Sequence, residues 1–143
     1  MEGEGNRVAV VGSGLSGLVC ARSLRAAGVS VVLFDKARGP GGRMTTRRRD
    51  DHRFDHGAQY FTVRHSAFEA HVHAWQGAGI VKPWRARFAS WAQGAFSPLE
   101  PPRTRWMGAP RMSMIGRHLA DGLDVRLSHR VTAIEPKGGG WRL

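Results

Sequence analysis

An α/β fold that opens on a parallel βαβ unit is what this sequence predicts, and three observations predict it. Arg7-Val8-Ala9-Val10-Val11 is a short apolar run of the kind that forms a buried parallel strand. It stops at Gly12-Ser13-Gly14-Leu15-Ser16-Gly17, a G-x-G-x-x-G spacing that leads into a helical stretch. A second apolar run, Ser30-Val31-Val32-Leu33-Phe34, then delivers Asp35 at its carboxyl end, twenty-three residues after Gly12.

Each part of the unit has a physical task. The helix is expected from about Leu15 to Ala27, with Leu15, Leu18, Val19 and Leu24 recurring at three- and four-residue intervals and Arg22 and Arg25 facing water. Gly28 follows it, where a positive φ ends a helix without steric cost. Gly12 permits the tight strand-to-helix turn, Gly14 lets a pyrophosphate approach the backbone, and Gly17 brings helix and sheet together. Unpaired amides of the first helical turn then point at the phosphates, aided by the helix dipole. Asp35 can accept from the hydroxyls of an adenosine ribose. The glycine spacing alone would be a weak signal; framed by strand, helix, strand and acid it predicts a dinucleotide site. Cys20 falls within the helix and is expected to be a small buried or half-buried thiol, since a redox role needs a second cysteine.

Composition bounds the alternatives. At 143 residues and 41% hydrophobic the chain can form one modest domain, and its 19 glycines and 7 prolines imply many turns. One cysteine excludes an intramolecular disulfide and a thiolate zinc cluster. No apolar stretch approaches the roughly 18 residues needed to cross a membrane. The start, Met1-Glu2-Gly3-Glu4-Gly5-Asn6, carries acid rather than base and does not read as a secretory signal, so the cytoplasm is the expected compartment.

The net charge of +11 is almost entirely arginine, with Lys36, Lys82 and Lys137 the only lysines. Arg38, Arg43, Arg47, Arg48, Arg49 and Arg53 crowd into sixteen residues beside Asp50, Asp51 and Asp55. A solvated basic loop and a phosphate-facing role for one or two members both fit. Nucleic-acid binding is the weakest reading, because no zinc-finger spacing, helix-turn-helix or aromatic-lined repeat organises the charge.

After Asp35 the sequence runs Lys36-Ala37-Arg38-Gly39-Pro40-Gly41-Gly42-Arg43-Met44. Gly41 and Gly42 let backbone turn close to a phosphate or ribityl group, and Arg43 supplies a fork of donors for pyrophosphate oxygens. A solvent loop with an incidental double glycine is the alternative. Phe34-Asp35-Lys36, Gly41-Gly42-Arg43-Met44-Thr45-Thr46, Phe54-Asp55-His56-Gly57-Ala58-Gln59-Tyr60-Phe61-Thr62 and Arg105-Trp106-Met107-Gly108 with Met112-Ser113 together resemble the FAD-binding part of flavin-containing amine oxidases, most closely their bacterial renalase-like relatives, the NAD/FAD-dependent oxidoreductases.

The resemblance implies a Rossmann-like FAD-binding domain of the GR2 type, in which a second glycine-arginine element lines the diphosphate and ribityl region, followed by the beginning of a mixed or antiparallel substrate domain. It divides the chain into an FAD-binding unit over 1–62, a partial substrate-side insertion over 63–122 and, over 123–143, a strand returning to the FAD domain followed by a truncated hairpin. FAD is the implied cofactor, with Gly12, Ser13, Gly14, Leu15, Ser16, Gly17, Asp35, Lys36, Gly41, Gly42 and Arg43 as contacts. It also places Gln59 and Tyr60 near the isoalloxazine or domain interface and Val131 near the adenine. Asp35 stands where many relatives carry glutamate, a change that leaves the ribose reading intact.

From Ser66 to Trp75 a helix is expected with Phe68, Val72 and Trp75 on one face, closed by Gly77 and Gly79. His65, His71 and His73 lack metal-ligand spacing with acids, and no metal is expected. Trp84, Phe88, Trp91 and Phe96 fit short antiparallel strands, and Ser113 to Ala120 fits a helix. Trp106 and Met112 suit either the flavin side or the core. Arg111 stands where the resembling proteins have glycine before Met112, which predicts a strained or displaced loop there. Val125 to Leu127 and Val131 to Ala133 are expected to be extended, and Trp141-Arg142-Leu143 reads as the start of a further strand.

The resembling proteins are longer, so the expectation is a truncated flavoprotein, inactive on its own and open to self-association at a strand edge. The implied chemistry is hydride transfer from an amine or reduced nicotinamide-like substrate to FAD. No catalytic base is identified; His56 lies beside Asp55 without a nucleophile. The competing functions are an NAD(P)-dependent oxidoreductase without flavin and a non-catalytic nucleotide- or partner-binding remnant.

Overall fold

The computed structural model describes residues 7–101 and 103–143. The acidic start, its reading as something other than a signal, and the first six positions of the expected 1–62 unit lie outside the described residues.

The chain runs β1 (Arg7–Val11), α1 (Leu15–Ala26), β2 (Ser30–Phe34), a short 3-10 turn (Gly42–Met44), β3 (Thr46–Arg49) and β4 (His52–Asp55). It continues with β5 (Phe61–Thr62), α2 (Ser66–Gly77), β6 (Val81–Pro83), β7 (Phe88–Ala92), β8 (Ala95–Leu99) and β9 (Arg105–Gly108). Last come α3 (Ser113–Ala120), β10 (Asp124–Arg126), β11 (Glu135–Lys137) and β12 (Gly140–Arg142). β1, β2 and β10 form a parallel sheet in the order β1-β2-β10, with Val11 opposite Phe34 and Phe34 opposite Arg126. β5, β9 and β6 form a second, antiparallel sheet, and β3–β4, β7–β8 and β11–β12 are two-stranded hairpins. The fold is therefore Rossmann-like α/β followed by antiparallel pieces, as the sequence predicts.

One buried cluster joins the two sheets. Leu18 and Ala21 of α1, Leu33 of β2 and Ile115 and Leu119 of α3 pack with Val72 and Trp75 of α2, Val81 of β6 and Trp106 of β9. Leu18, Leu33 and Val72 are wholly buried. Full burial of such a side chain contributes about 1.5–3 kcal/mol. α2 shows the expected apolar face, and its cap is His65, whose Nδ1 accepts from the Ala67 amide at 3.2 Å. Trp106 and Met112 take the core alternative; the Met112 sulfur accepts from the Gly108 amide at 3.0 Å.

Several expectations need correction. β1 is not buried: it pairs only with β2 among the described residues, and Val11 is 53% exposed. On α1 the buried positions are Leu18 and Ala21, whereas Leu15 and Val19 are exposed. Those two side chains border an open groove between α1, α2 and α3 with Phe68, Trp75 and Leu119 on its other walls. Cys20 is exposed as well, because it faces away from the sheet. Arg111 is absent from the residues at positive φ, and the loop before α3 carries no backbone strain from it. Close approach is made instead by Gly108, where a Cβ would collide with the Arg111 carbonyl and the Met112 Cα. Val131 and Ala133 lie outside any strand, whereas the last segment pairs in a hairpin, Glu135 opposite Arg142, in line with its extended reading. No helix among the described residues is long and apolar enough to cross a membrane.

Candidate nucleotide site

The carboxyl ends of β1, β2 and β10 lie side by side, where open α/β sheets bind ligands. β1 turns at Gly12, whose φ of 101° is open to glycine, and the Gly12 amide donates to the Phe34 carbonyl at 2.7 Å. Gly14 is the N-cap of α1 and brings no side-chain hydrogen bond to it, and the first turn holds no acid. Helix-terminal amides without a partner in the chain are donors for an anion. A Cβ on Gly14 would meet nothing within 4 Å, so the face it presents is open. One on Gly17 would collide with the Gly12 carbonyl oxygen, which makes Gly17 the residue that lets the helix close onto the turn. Gly17 thus has the packing task that the sequence assigned it, and Gly14 leaves open space at the start of the helix.

The second glycine pair meets the first. Gly41 and Gly42 have φ of 116° and 54°, the Gly41 amide donates to the Ser13 carbonyl at 2.8 Å, and Gly14 and Gly41 form a parallel bridge. A Cβ on Gly42 would stand 3.0 Å from the Gly14 Cα. Gly116 of α3 backs this junction, since its Cβ would collide with the Gly41 backbone. The sequence gives the double glycine but not Gly116, whose reason lies in another element.

Asp35 sits at the junction. Its Oδ2 accepts from the Ser13 amide and the Ser13 hydroxyl, both at 2.6 Å, and its Oδ1 accepts from the Ala37 amide at 2.8 Å. Burial raises the Asp35 pKa, but the Ser13 hydroxyl, the Ala37 and Ser13 amides and the Lys36 charge outweigh it and hold the carboxyl below its ordinary value. Asp35 is thus an anion at neutral pH.

A pocket of about 570 Å³ adjoins it, lined by Gly12, Asp35, Lys36, Gly42 and Val131 among others. Val131 therefore lines the same pocket as Gly12 and Gly42. His129 and Arg130, which lie between the two segments expected to be extended and carry no sequence motif, also line this pocket. Their placement depends on Ser128, which turns at φ 58° with its amide on the Ala37 carbonyl, and on the His129 amide, which donates to the Asp35 carbonyl at 2.9 Å. His129 Nδ1 lies 2.7 Å from the Leu127 carbonyl and must carry the proton to donate to it, while the ring sits 6.4 Å from that of Phe34.

Other candidates lie elsewhere. The Arg43 carbonyl accepts from the Ala58 amide at 2.9 Å, while its guanidinium is exposed and makes no hydrogen bond or ion pair among the described residues. Gln59 is exposed. Tyr60 packs 5.7 Å from the Trp84 ring and under Arg105, whose guanidinium lies 4.6 Å from the Tyr60 ring and 4.2 Å from that of Phe88. That stack belongs to the antiparallel part, and neither Gln59 nor Tyr60 lines the Asp35 pocket. Asp55, the neighbour of His56, accepts from Thr46 and from the Met112 amide and is a structural brace. No group of three or more metal-ligating side chains converges among the described residues.

Residues 10–76 match the family model described as an NAD(P)-binding Rossmann-like domain. The chain is 43% identical over 63 residues to the phytoene desaturase (neurosporene-forming) of Cereibacter sphaeroides, covering 44% of this chain and 12% of that protein. It is 46% identical over 59 residues to the hydroxyneurosporene desaturase of Rubrivivax gelatinosus, covering 41% of this chain and 11% of that protein. Among solved structures, a redesigned triple mutant of putrescine oxidase aligns with a TM-score of 0.50 and 25% identity, over 68% of this chain and 22% of that one. A double mutant of the same oxidase gives 0.50 and 26%, over 66% and 21%. The chain thus spans about an eighth of the curated relatives' length and about a fifth of the oxidase. The fold is thus Rossmann-like α/β with a site for a dinucleotide cofactor, matched over residues 10–76 by that family model, homologous over part of its length to carotenoid desaturases and similar in fold to putrescine oxidase.

Proposed function

We propose that this chain holds the ADP half of FAD and is the cofactor-binding part of an FAD-dependent oxidoreductase. The observation that carries the reading is the direct packing of the Gly41-Gly42 turn on the Ser13-Gly14 turn, which adds a second backbone wall to the pyrophosphate cradle. A βαβ nicotinamide site needs only the first turn.

The residues present fit the group. The Leu15 and Ser16 amides at the start of α1 face an anion, Gly14 leaves it room, Asp35 receives the ribose, and Lys36, His129, Arg130 and Val131 enclose the adenosine end. Arg43, whose guanidinium is exposed, is the fork of donors assigned to the pyrophosphate in this reading. FAD supplies the acceptance of a hydride and its return to an oxidant; the chain supplies binding, orientation and charge. An amine or a reduced nicotinamide is the substrate class that the family resemblance supports, and the names of the curated relatives add carotenoids. The nucleotide unit is common to all of these.

Flavin fluorescence on mixing the purified chain with FAD tests the proposal, with NADH as competitor and Gly14→Ala and Asp35→Ala as controls. Quenching that NADH does not reverse, weakened at least tenfold by each substitution, is the expected result. Equal binding by Gly14→Ala would remove the cradle assignment, and preference for NADH would replace FAD by a nicotinamide cofactor.

A further inference from the structure

Ser13 is a wholly buried polar residue, and both of its donors end on one atom. Its amide and hydroxyl each lie 2.6 Å from Asp35 Oδ2. The Ala37 amide takes a place on Oδ1 at 2.8 Å. An ionised carboxylate offers about four lone-pair positions, two on each oxygen. The chain itself fills three of them, and the one left is on Oδ1. An adenosine ribose brings two adjacent hydroxyl donors to the same carboxylate.

We infer that Asp35 accepts only one of the two ribose hydroxyls, and that Ser13 is the positioning residue that imposes this by occupying Oδ2. This deepens the nucleotide reading of the site and rests on it. Ser13 is well suited to the task because water cannot compete for its hydroxyl at zero exposure, and because its carbonyl is fixed by the Gly41 amide at 2.8 Å. The second ribose hydroxyl is left to the pocket wall or to solvent. Nucleotide recognition here is therefore asymmetric between the 2′ and 3′ positions.

Calorimetric titration of the full chain with ADP, 2′-deoxy-ADP and 3′-deoxy-ADP reads the asymmetry directly. One deoxy analogue is expected to bind about tenfold to a hundredfold more weakly than ADP, the loss of a hydrogen bond to a charged group, and the other within about threefold. Ser13→Ala frees a position on Oδ2, so that removing either hydroxyl becomes costly, and Ser13→Thr, which returns the hydroxyl, restores the asymmetry. A merely structural role for Ser13 would weaken all three nucleotides by one factor and leave their ratios alone. That outcome, or a wild-type chain that suffers equally from loss of either hydroxyl, overturns the inference while the nucleotide site stands. Folded wild-type chain that binds no ADP overturns both. If Ser13→Ala does not fold, the wild-type ratios still decide.

Discussion

Gly14 and Gly17 stand three residues apart and lack a side chain for opposite reasons. A methyl group on Gly14 enters open space at a φ of −70° that any residue adopts, whereas one on Gly17 enters the Gly12 carbonyl. Gly14→Ala is expected to cost less than about 1 kcal/mol, the ordinary loss at an N-cap, and Gly17→Ala about 3 kcal/mol, at the upper end of overpacking. Urea denaturation of the two variants separates them. Asp35 gives a pH prediction at the same scale. Its folded pKa lies below the usual 3.8, so its contribution is complete above that value and lost as pH falls through the lower, folded value. Compared with Asp35→Asn, the wild-type advantage in midpoint of denaturation is expected at pH 6 and should fade below about pH 4. An advantage that grows on acidification would contradict the sign. The glycines and the acid were legible in the sequence because their tasks are local. The Ser13 hydroxyl was not, since its partner is twenty-two residues away and a serine in that position advertises nothing.

At the scale of elements, the β3–β4 hairpin places Arg48 directly opposite Arg53 and Arg49 opposite His52. Burial, then Arg48 and Arg111, lower the Arg53 pKa, which marks crowding of like charge on this ribbon. Cross-strand like charges destabilise a pair, and salt relieves them. Arg48→Thr is therefore expected to raise the melting temperature at low ionic strength, with the gain shrinking as sodium chloride is added. A gain that persists in high salt would point to β propensity instead. The arginine run was visible in the sequence, but its pairing required the register of the hairpin. Helices α1, α2 and α3 were legible from periodicity and closing glycines, and β7 and β8 only as short antiparallel strands whose pairing the sequence left open. The exposure of Leu15 and Val19 was not, because periodicity names a helix's apolar face without saying how much of it the neighbouring elements cover. The packing of Tyr60 was not legible for a related reason: Trp84 and Arg105, which hold it, come from the β6–β7 connection and β9.

Across the whole molecule, β10 arrives beside β2 after a passage of nearly ninety residues, and that return completes the nucleotide pocket by bringing His129, Arg130 and Val131 to Asp35. Only resemblance made this return legible; a three-residue strand carries too little pattern to announce its partner. The junction of the two glycine turns has a consequence for how the molecule opens. The Gly41 amide bonds the Ser13 carbonyl, and the Gly12 amide bonds the Phe34 carbonyl, so peptide groups twenty-eight residues apart in the chain share one edge of the sheet. In native-state hydrogen exchange the Gly12 and Gly41 amides are expected to report a single cooperative opening with one free energy and one denaturant dependence, well above that of the exposed β7–β8 hairpin. Bound nucleotide should then slow both amides by the same factor, making a pair of glycine peptides the readout of cofactor loading.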